Sequence, residues 1–169
     1  MAIELISLFE RPELAPEIYD LDRRNLENLS RYSLGPVCLD IVEFRAKVAS
    51  AINLTLDSNS KFVDIRAIMD EDAVVGCLDI VYCPDKPDRR TIGYTVDVDG
   101  GHGNKGYAKH AVELLSSRLL IDGEIDFLEA FVHPNNIYSR RVMDFAGFTV
   151  DNATRTKNEL RYIRLAEDF

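Results

Sequence analysis

The sequence predicts a mixed α/β fold, and two observations on hydrophobic spacing lead to that prediction. Segments with apolar residues at every second position, typical of strands, alternate with segments whose apolar residues recur at helical spacing. The chain has 169 residues, of which 46% are hydrophobic, which is enough for one full core. No linker-like, repeated or low-complexity stretch divides it, so we expect a single domain over residues 1–169 with six or seven strands and four helices.

The first third of the chain contains one strand pattern and two helix patterns. Residues 3–9 resemble a strand. A helix is predicted from Leu14 through Leu29, where apolar residues keep helical spacing until Gly35-Pro36 ends it. A second helix is predicted after Asp40, and its apolar face consists of Ile41, Phe44, Val48 and Ile52.

The remaining elements lead to and follow a glycine-rich loop. Residues 61–69 and 74–82 alternate as two strands around the turn Asp70-Glu71-Asp72, and residues 90–98 form the strand before the loop. After the loop, residues 108–120 read as a helix, and residues 125–132 form an apolar run typical of a central strand. A short helix with an apolar face of Tyr138, Val142 and Phe145 follows. Gly147 is placed as its cap, and residues 148–151 and 160–165 close the chain as strands.

Charge and cysteine usage exclude some classes of partner. The net charge of −9 argues against nucleic acid, whose binding requires a basic surface. An acidic surface suits a cationic substrate, although solubility alone also explains the charge. No apolar run approaches membrane-spanning length, and the opening segment is too short and acidic for a signal peptide. Cys38, Cys77 and Cys83 show no metal or redox spacing, so we expect reduced cysteines, no bound metal, no membrane partner and a cytoplasmic location.

Residues 99–108, Asp-Gly-Gly-His-Gly-Asn-Lys-Gly-Tyr-Ala, are the most informative segment for function. A glycine turn between a strand and a helix presents backbone N–H groups to an anion, usually a phosphate. Helices favour acidic residues in the first turn, yet the first acid of this helix is Glu113, and Lys105 and Lys109 precede it. The segment therefore predicts a phosphate site, with an ordinary glycine turn as the alternative.

Two common phosphate motifs do not account for this loop. Residues 101–106 match GxGxxG, and Glu129 lies at a suitable distance for a ribose-binding acid. Only about 60 residues follow, however, and Glu129 falls inside a strand pattern rather than at a strand end. The P-loop motif fails because Gly106, and not Ser or Thr, follows Lys105.

A second motif, Asn136-x-x-Ser139 followed by Gly147-Phe148, accompanies the loop at a characteristic distance. Together the two segments resemble the GNAT superfamily of acyl-CoA-dependent N-acyltransferases, most closely the branch of the ribosomal-protein N-terminal acetyltransferases. The resemblance runs from Ile92-Gly93-Tyr94 to Phe148, and more faintly covers residues 25–29. It implies a mostly antiparallel, mixed sheet of six or seven strands with four helices, in which the fourth and fifth strands splay apart.

The resemblance also implies a coenzyme A site and its residues. Acetyl-CoA would place its pyrophosphate on the backbone of Gly103, Asn104, Lys105, Gly106, Tyr107 and Ala108. Its pantetheine arm would pair with Val96 and Val98, the amide of Val98 acting as oxyanion donor to the thioester carbonyl. Asn136 and Ser139 would face the thioester, with Ser139 as the proton donor to the leaving thiolate.

The sequence departs from the family pattern at two positions. Gly103 stands where Gln or Arg usually contacts a phosphate, and Lys105 or Lys109 is the expected replacement for that charge. Met143 stands where many members have a proton-donating Tyr. Tyr138 and Tyr107 are possible substitutes, although packing roles are the more common reading of such residues.

Glu129 is the candidate general base, because its same-face neighbours Phe127 and Phe131 would place the carboxylate in apolar surroundings that favour proton uptake. An ion pair at the rim of the sheet explains Glu129 equally well. Asp79, Asp97 and His133 are weaker candidates: the two aspartates are expected to be solvated, and His133 to be a hydrogen-bonded residue at a strand end.

Three hypotheses for function remain open from the sequence. The first is direct acetyl transfer from acetyl-CoA to a protein or peptide N-terminus, and the second is transfer to a small amine such as a polyamine, amino sugar or amino acid analogue. The third is an acyl-CoA-binding sensor without turnover, for which Gly103 and Met143 are the motivation. A homodimer is a possible assembly in each case.

Overall fold

A seven-stranded mixed sheet organises the residues that the computed structural model describes, namely 2–32, 62–82, 85–123, 125–154 and 158–166. Its strands are β1 (Glu4–Ser7), β2 (Phe62–Asp70), β3 (Ala73–Tyr82), β4 (Arg89–Val96), β5 (Phe127–Val132), β6 (Thr149–Val150) and β7 (Leu160–Leu165). They lie in the order β1-β2-β3-β4-β5-β7-β6. The β4–β5 pair is parallel, and the other neighbours are antiparallel.

Helices cover both faces of this sheet. They are α1 (Ala15–Arg24), α2 (Leu26–Tyr32), α3 (Tyr107–Ile121) and α4 (Ile137–Phe145), with short turns of helix at Pro12–Leu14, Val98–His102 and Asn152–Thr154. Because strand side chains alternate between faces, β2 sends Ile65 toward a core shared with α1 and Ile68 toward a core shared with α3 and α4. The two helical layers therefore lie on opposite faces of the sheet.

Strands β4 and β5 are paired over only a short length. Their register includes Arg89 with Phe127, Arg90 with Leu128 and Thr91 with Glu129, and the pairing ends there. On the other side of each strand the pairing continues, from Arg90 to Val96 between β3 and β4 and along all of β5 with β7. The carboxyl ends of β4 and β5 therefore diverge, as the family resemblance implies.

The structure corrects two helix predictions. The predicted helix from Leu14 to Leu29 is two helices that break at Asn25, whose side chain turns away to bond the end of β4. In α4 the buried residues are Val142 and Met143, whereas Tyr138 is 57% exposed and Phe145 is 49% exposed.

Other predictions at the level of elements are confirmed or fall outside the described residues. Gly147 ends α4 with a φ of 79°, and the N–H of Phe148 bonds the carbonyl of Met143 at 3.0 Å. The helix predicted after Asp40, together with Cys38 and Cys83, lies outside the residues that the structure describes. Cys77 is buried in the core. Across the described ranges we find no helix with the length and apolarity needed to cross a membrane.

Candidate active site

The gap between the diverging ends of β4 and β5 opens into a cavity of about 820 Å³. The amino-terminal ends of α3 and α4, together with α2, form its other walls. Most of the residues predicted to contact the cofactor line this one cavity, namely Val96, Val98, Gly103, Asn104, Gly106, Tyr107, Ala108, Asn136 and Ser139. Lys105 belongs to the same loop but is exposed and is not part of the lining.

The loop before α3 has the backbone geometry of an anion cradle. Asn104 and Gly106 have φ values of 58° and 90°, and Gly106 caps α3 without a side-chain hydrogen bond. The first amides of a helix have no acceptor within the helix, and its dipole is positive at this end. The first turn of α3 contains no acidic residue, and Lys109 lines the cavity beside it. These features fit a bound phosphate group.

The space around position 103 helps to explain why glycine occupies it. A Cβ at this position would lie 3.2 Å from Cγ1 of Val98 and 3.6 Å from its Cα. A side chain such as the Gln or Arg that the family usually carries here would therefore require the exposed Val98 side chain to shift by a few tenths of an ångström. Lys109 is the cation that the lining supplies near this point, and its Nζ also lies 5.2 Å from the centre of the Phe145 ring.

Tyr107 lines the cavity and is also bonded to the sheet through its side chain. Its ring is buried, and its hydroxyl donates to a carboxylate oxygen of Asp70 at the end of β2. This bond, together with burial, raises the pKa of the Tyr107 phenol. The side chain therefore ties α3 to the sheet, which agrees with the packing role expected for it.

The amino-terminal end of α4 holds the second predicted motif. Oδ1 of Asn136 accepts the N–H of Ser139 at 3.1 Å, so Asn136 caps the helix and fixes the place of Ser139. Met143, one turn further on, is 1% exposed and packs in the core, although its atoms also reach the cavity wall. No hydroxyl is available at that position.

Tyr94 is a functional candidate that the sequence reasoning missed. It lies on β4 and lines the same cavity as Ser139, and the Ser139 side chain acts on its pKa. Burial raises the pKa of Tyr94 to about 12, and Ser139 lowers it only in part. The sequence did contain a signal for Tyr94. It lies two residues before Val96, and therefore on the same face of a strand that was expected to border the cofactor.

Glu129 does not have the apolar surroundings that the sequence suggested. Its carboxylate accepts from Arg161 at 2.9 Å and from the hydroxyl of Thr91 at 3.1 Å, and Arg89 lies 3.6 Å away. The residue is 6% exposed, and it is not part of the cavity lining. The ion-pair alternative therefore fits the geometry, in the interior of the sheet rather than at its rim.

Asp97, at the end of β4, is buried rather than solvated as expected. It pairs with Nη2 of Arg24 at 2.7 Å and accepts the N–H of Gly100 at 2.8 Å. Burial alone would raise its pKa, but the bonds from Arg24 and Gly100, with a smaller contribution from His102, lower it overall. Asp97 is thus an ion-paired carboxylate rather than a free base.

The amide of Val98 is already used within the protein. Oδ1 of Asn25 accepts it at 3.0 Å, and Nδ2 of the same side chain donates to the carbonyl of Val96 at 3.1 Å. The Val98 N–H, predicted as the oxyanion donor, therefore already has an acceptor within the protein. Asn25 was noted in the sequence only as part of the faint resemblance of residues 25–29.

The cavity is basic although the chain is acidic. Arg31, Lys109 and Arg141 line it, and no Asp or Glu is found among the lining residues that the structure describes.

At His133, Nδ1 accepts the N–H of Asn135 at 3.2 Å, which places the proton of the neutral ring on Nε2. The described residues also contain no group of three or more His, Cys, Asp or Glu side chains arranged to hold a metal ion.

Comparison with known proteins identifies the family. The family model described as "Acetyltransferase (GNAT) domain" matches residues 7–149. The chain belongs to the GNAT acetyltransferases. This match confirms the family and the activity class expected from the glycine loop and the Asn136-x-x-Ser139 motif. A comparison with curated protein sequences returns no match.

Solved structures of this family share the fold at low sequence identity. The ribosomal L7/L12 α-N-protein acetyltransferase RimL, in complex with coenzyme A, is 18% identical with a TM-score of 0.78, over 98% of this chain and 94% of that chain. The ribosomal-protein-S5-alanine acetyltransferase from Vibrio fischeri is 14% identical with a TM-score of 0.73, over 98% and 93%. The aminoglycoside acetyltransferase AAC(6')-Ib, with coenzyme A and kanamycin, is 14% identical with a TM-score of 0.71, over 99% and 96%.

Proposed function

We propose that this GNAT acetyltransferase transfers an acetyl group directly from acetyl-CoA to a primary amine, and that the amine is the N-terminal α-amino group of a protein or peptide. One observation carries the proposal. A single cavity joins the glycine loop before α3 to the capped start of α4, in the gap between β4 and β5. An anion cradle is thereby placed next to a positioned hydroxyl.

The cradle supplies cofactor binding. The backbone amides from Gly103 to Ala108 would hold the pyrophosphate, and Lys109 adds a positive charge beside them. The open edge of β4 at Tyr94 and Val96 would pair with the amides of the pantetheine arm, as a peptide strand pairs with a sheet edge. When bound, acetyl-CoA supplies an activated acetyl group as its thioester.

The start of α4 supplies the proton donor in this proposal. The lone pair of the neutral amine forms a C–N bond at the thioester carbonyl carbon, and the nitrogen releases one proton to solvent. The C–S bond breaks, and the departing sulfur takes a proton from the Ser139 hydroxyl, which solvent then reprotonates. Ser139 lies in the first turn of α4, where the helix dipole stabilises negative charge. Tyr94 lines the same cavity, so its hydroxyl is a second group that could assist the transfer.

The acceptor proposal follows from the absence of a carboxylate in the described lining. An α-amine has a pKa near 8, so a useful fraction is neutral at pH 7, whereas a lysine amine near 10.4 needs a stronger base. A cavity with cationic side chains also gives no attraction to a polycation. Both points favour an N-terminal amine over a lysine or polyamine. The likeness to ribosomal-protein acetyltransferases supports the same acceptor class.

The test uses the purified chain with acetyl-CoA and three kinds of acceptor. These are peptides with a free N-terminal Ser or Ala, the same peptides with a blocked N-terminus and an internal lysine, and small amines including an aminoglycoside and a polyamine. Free thiol measures turnover, and fragmentation mass spectrometry locates the acetyl group. We expect thiol release with the free N-terminal peptides and none with the blocked ones.

Two results would contradict the proposal in different ways. Turnover only with small amines would replace the acceptor and keep the chemistry. Measurable acetyl-CoA binding without thiol release for any acceptor would favour the sensor hypothesis, to which Gly103 and Met143 first pointed.

A further inference from the structure

The junction between α1 and α2 is bonded to the end of β4. Asn25, which separates the two helices, is 1% exposed and directs its side-chain amide at the backbone. Nδ2 donates to the carbonyl of Val96 at 3.1 Å, and Oδ1 accepts the N–H groups of Val98 at 3.0 Å and Asp99 at 3.3 Å. One side chain therefore satisfies three main-chain groups at the mouth of the cofactor cavity.

The preceding residue strengthens the same junction. Arg24 bonds Asp97, and Asp97 in turn accepts the N–H of Gly100. Five hydrogen bonds thus hold the segment from Val96 to Gly100, which connects β4 to the glycine loop. Because α1 lies on the opposite face of the sheet from α3 and α4, these bonds connect the α1 layer to the segment that leads into α3.

The hydrogen bonds of β4 show what Asn25 replaces. The N–H of Asp97 bonds the carbonyl of Val75 on β3 at 2.9 Å. Successive residues of an antiparallel ladder alternate in direction, so the N–H and C=O groups of Tyr94 and Val96 point away from β3, toward the gap. Pairing with β5 ends at Thr91. Asn25 takes the Val96 carbonyl and the Val98 N–H in the manner of a residue on a neighbouring strand.

We propose that Asn25 is a positioning residue for the acyl-CoA arm, closing the edge of β4 beyond Val96 so that the Val96 N–H is the last donor open to the arm. The inference rests on the proposed function, since it assumes an arm that pairs with β4. It assigns the thioester carbonyl to the amide of Val96, because Asn25 already holds that of Val98.

Asn25→Ala removes both sets of bonds. Asn25→Asp keeps an oxygen acceptor for Val98 and Asp99 but replaces the donor to Val96 with a second oxygen at nearly the same size. Asn152→Asp is the matched control, because Asn152 is an exposed asparagine after β6. Calorimetry on each protein measures affinity for coenzyme A and for the adenosine bisphosphate that forms its nucleotide end. The difference between the two affinities reports the contribution of the pantetheine arm to binding.

We expect Asn25→Ala to weaken coenzyme A about tenfold while leaving the adenosine bisphosphate within about twofold. The affinity of Asn25→Asp for coenzyme A should lie between those of Asn25→Ala and the wild type. The affinity of Asn152→Asp should equal that of the wild type. An equal loss of affinity for both ligands would mean that Asn25 only holds the loop. Unchanged affinity for both ligands would mean that Asn25 only joins the two helices. Both results would overturn the proposal.

The binding measurements need no acceptor, so they separate this inference from the proposed reaction. A wild-type protein that binds coenzyme A but acetylates no amine would contradict the proposed function and leave the arm-binding comparison intact. Where an acceptor is found, we expect kcat for Asn25→Ala to fall about tenfold, since small displacements of a reacting group are costly. Thermal unfolding of each variant checks that the bound fraction refers to folded protein. An unchanged kcat and an unchanged coenzyme A affinity, with only a lower Tm, would assign Asn25 a purely structural role.

Discussion

At the scale of single residues, the hydroxyl pair Ser139 and Tyr94 makes a sharp prediction. Ser139→Ala should lower kcat about 100-fold, because general acid catalysis contributes about that much or more. Tyr94→Phe keeps the ring and removes the hydroxyl whose pKa responds to Ser139, so we expect a kcat loss of about threefold to tenfold with KM for acetyl-CoA nearly unchanged. The double variant should be no worse than Ser139→Ala, since the pair acts as one unit.

The pH dependence tests the same pair. Burial raises the pKa of Tyr94 to about 12, so the phenol stays protonated up to pH 10. We therefore expect wild type and Tyr94→Phe to share the same pH profile below pH 10, displaced only in height. Tyr138 is an exposed neighbour of Ser139 and is the alternative proton donor. A larger loss of kcat in Tyr138→Phe than in Tyr94→Phe would assign the donor role to Tyr138.

Glu129 shows how the same residue pattern can carry two meanings. A carboxylate between Phe127 and Phe131 along the chain suggested apolar surroundings. The partners that decide its role are Arg161 on β7 and Arg89 on β4, both distant in sequence. Periodicity along one strand cannot show what the adjacent strand supplies, because pairing partners are set by topology.

At the scale of elements, the backbone conformation of Gly106 at the start of α3 predicts how a substitution there affects both stability and coenzyme A binding. Gly106 has a φ of 90°, and a Cβ there would meet only ordinary contacts from His110 at 3.7 Å and beyond. Gly106→Ala therefore suffers backbone strain rather than a clash, at about 1–2 kcal/mol. That cost lowers Tm by roughly 2–8 °C for a chain of this size. We also expect weaker coenzyme A binding, because relief of the strain would turn the loop amides away.

Gly123, just after the other end of α3, is the matched control. It has a φ of 70°, and nothing lies within 4 Å of a Cβ built there. Gly123→Ala should lower Tm by a similar amount and leave the affinity for coenzyme A unchanged. Calorimetric titration of both variants makes the comparison. Equal effects of the two substitutions on affinity would show that the loop before α3 has no special role.

The break between α1 and α2 shows where element prediction reached its limit. Leu14, Ile18 and Leu21 keep helical spacing, as do Leu26 and Leu29, and the only irregularity in the pattern is the five-residue step from Leu21 to Leu26 at the break. The cause is the long-range bonding of Asn25 to β4, 71 or more residues away in the chain. Asparagine bonds competing main-chain groups readily, which explains why it is the residue at this position.

At the scale of the whole molecule, the family and the sheet were predictable because two local motifs report them together. The glycine loop and the Asn136-x-x-Ser139 segment each contain their own geometry, including the cap from Asn136 to the N–H of Ser139. What could not be predicted depends on contacts between distant segments. Tyr94 and Ser139 come to line one cavity, and Arg24 and Asn25 meet the end of β4, only after the sheet and both helical layers have assembled.

The buried Asp97 joins α1 to the segment after β4 and makes stability depend on pH. Its pKa is lower in the folded protein than the ordinary 3.8, so its ion pair contributes fully above that value and is lost as the pH falls below it. Asp97→Asn should lower the free energy of unfolding at pH 7 by about 1–3 kcal/mol, toward the lower end because Arg24 is half exposed. Urea unfolding should show a constant difference between wild type and variant from pH 7 to about pH 5, which then narrows below pH 4. A difference that stays the same down to pH 3 would show that the carboxylate charge does not hold α1 to the end of β4.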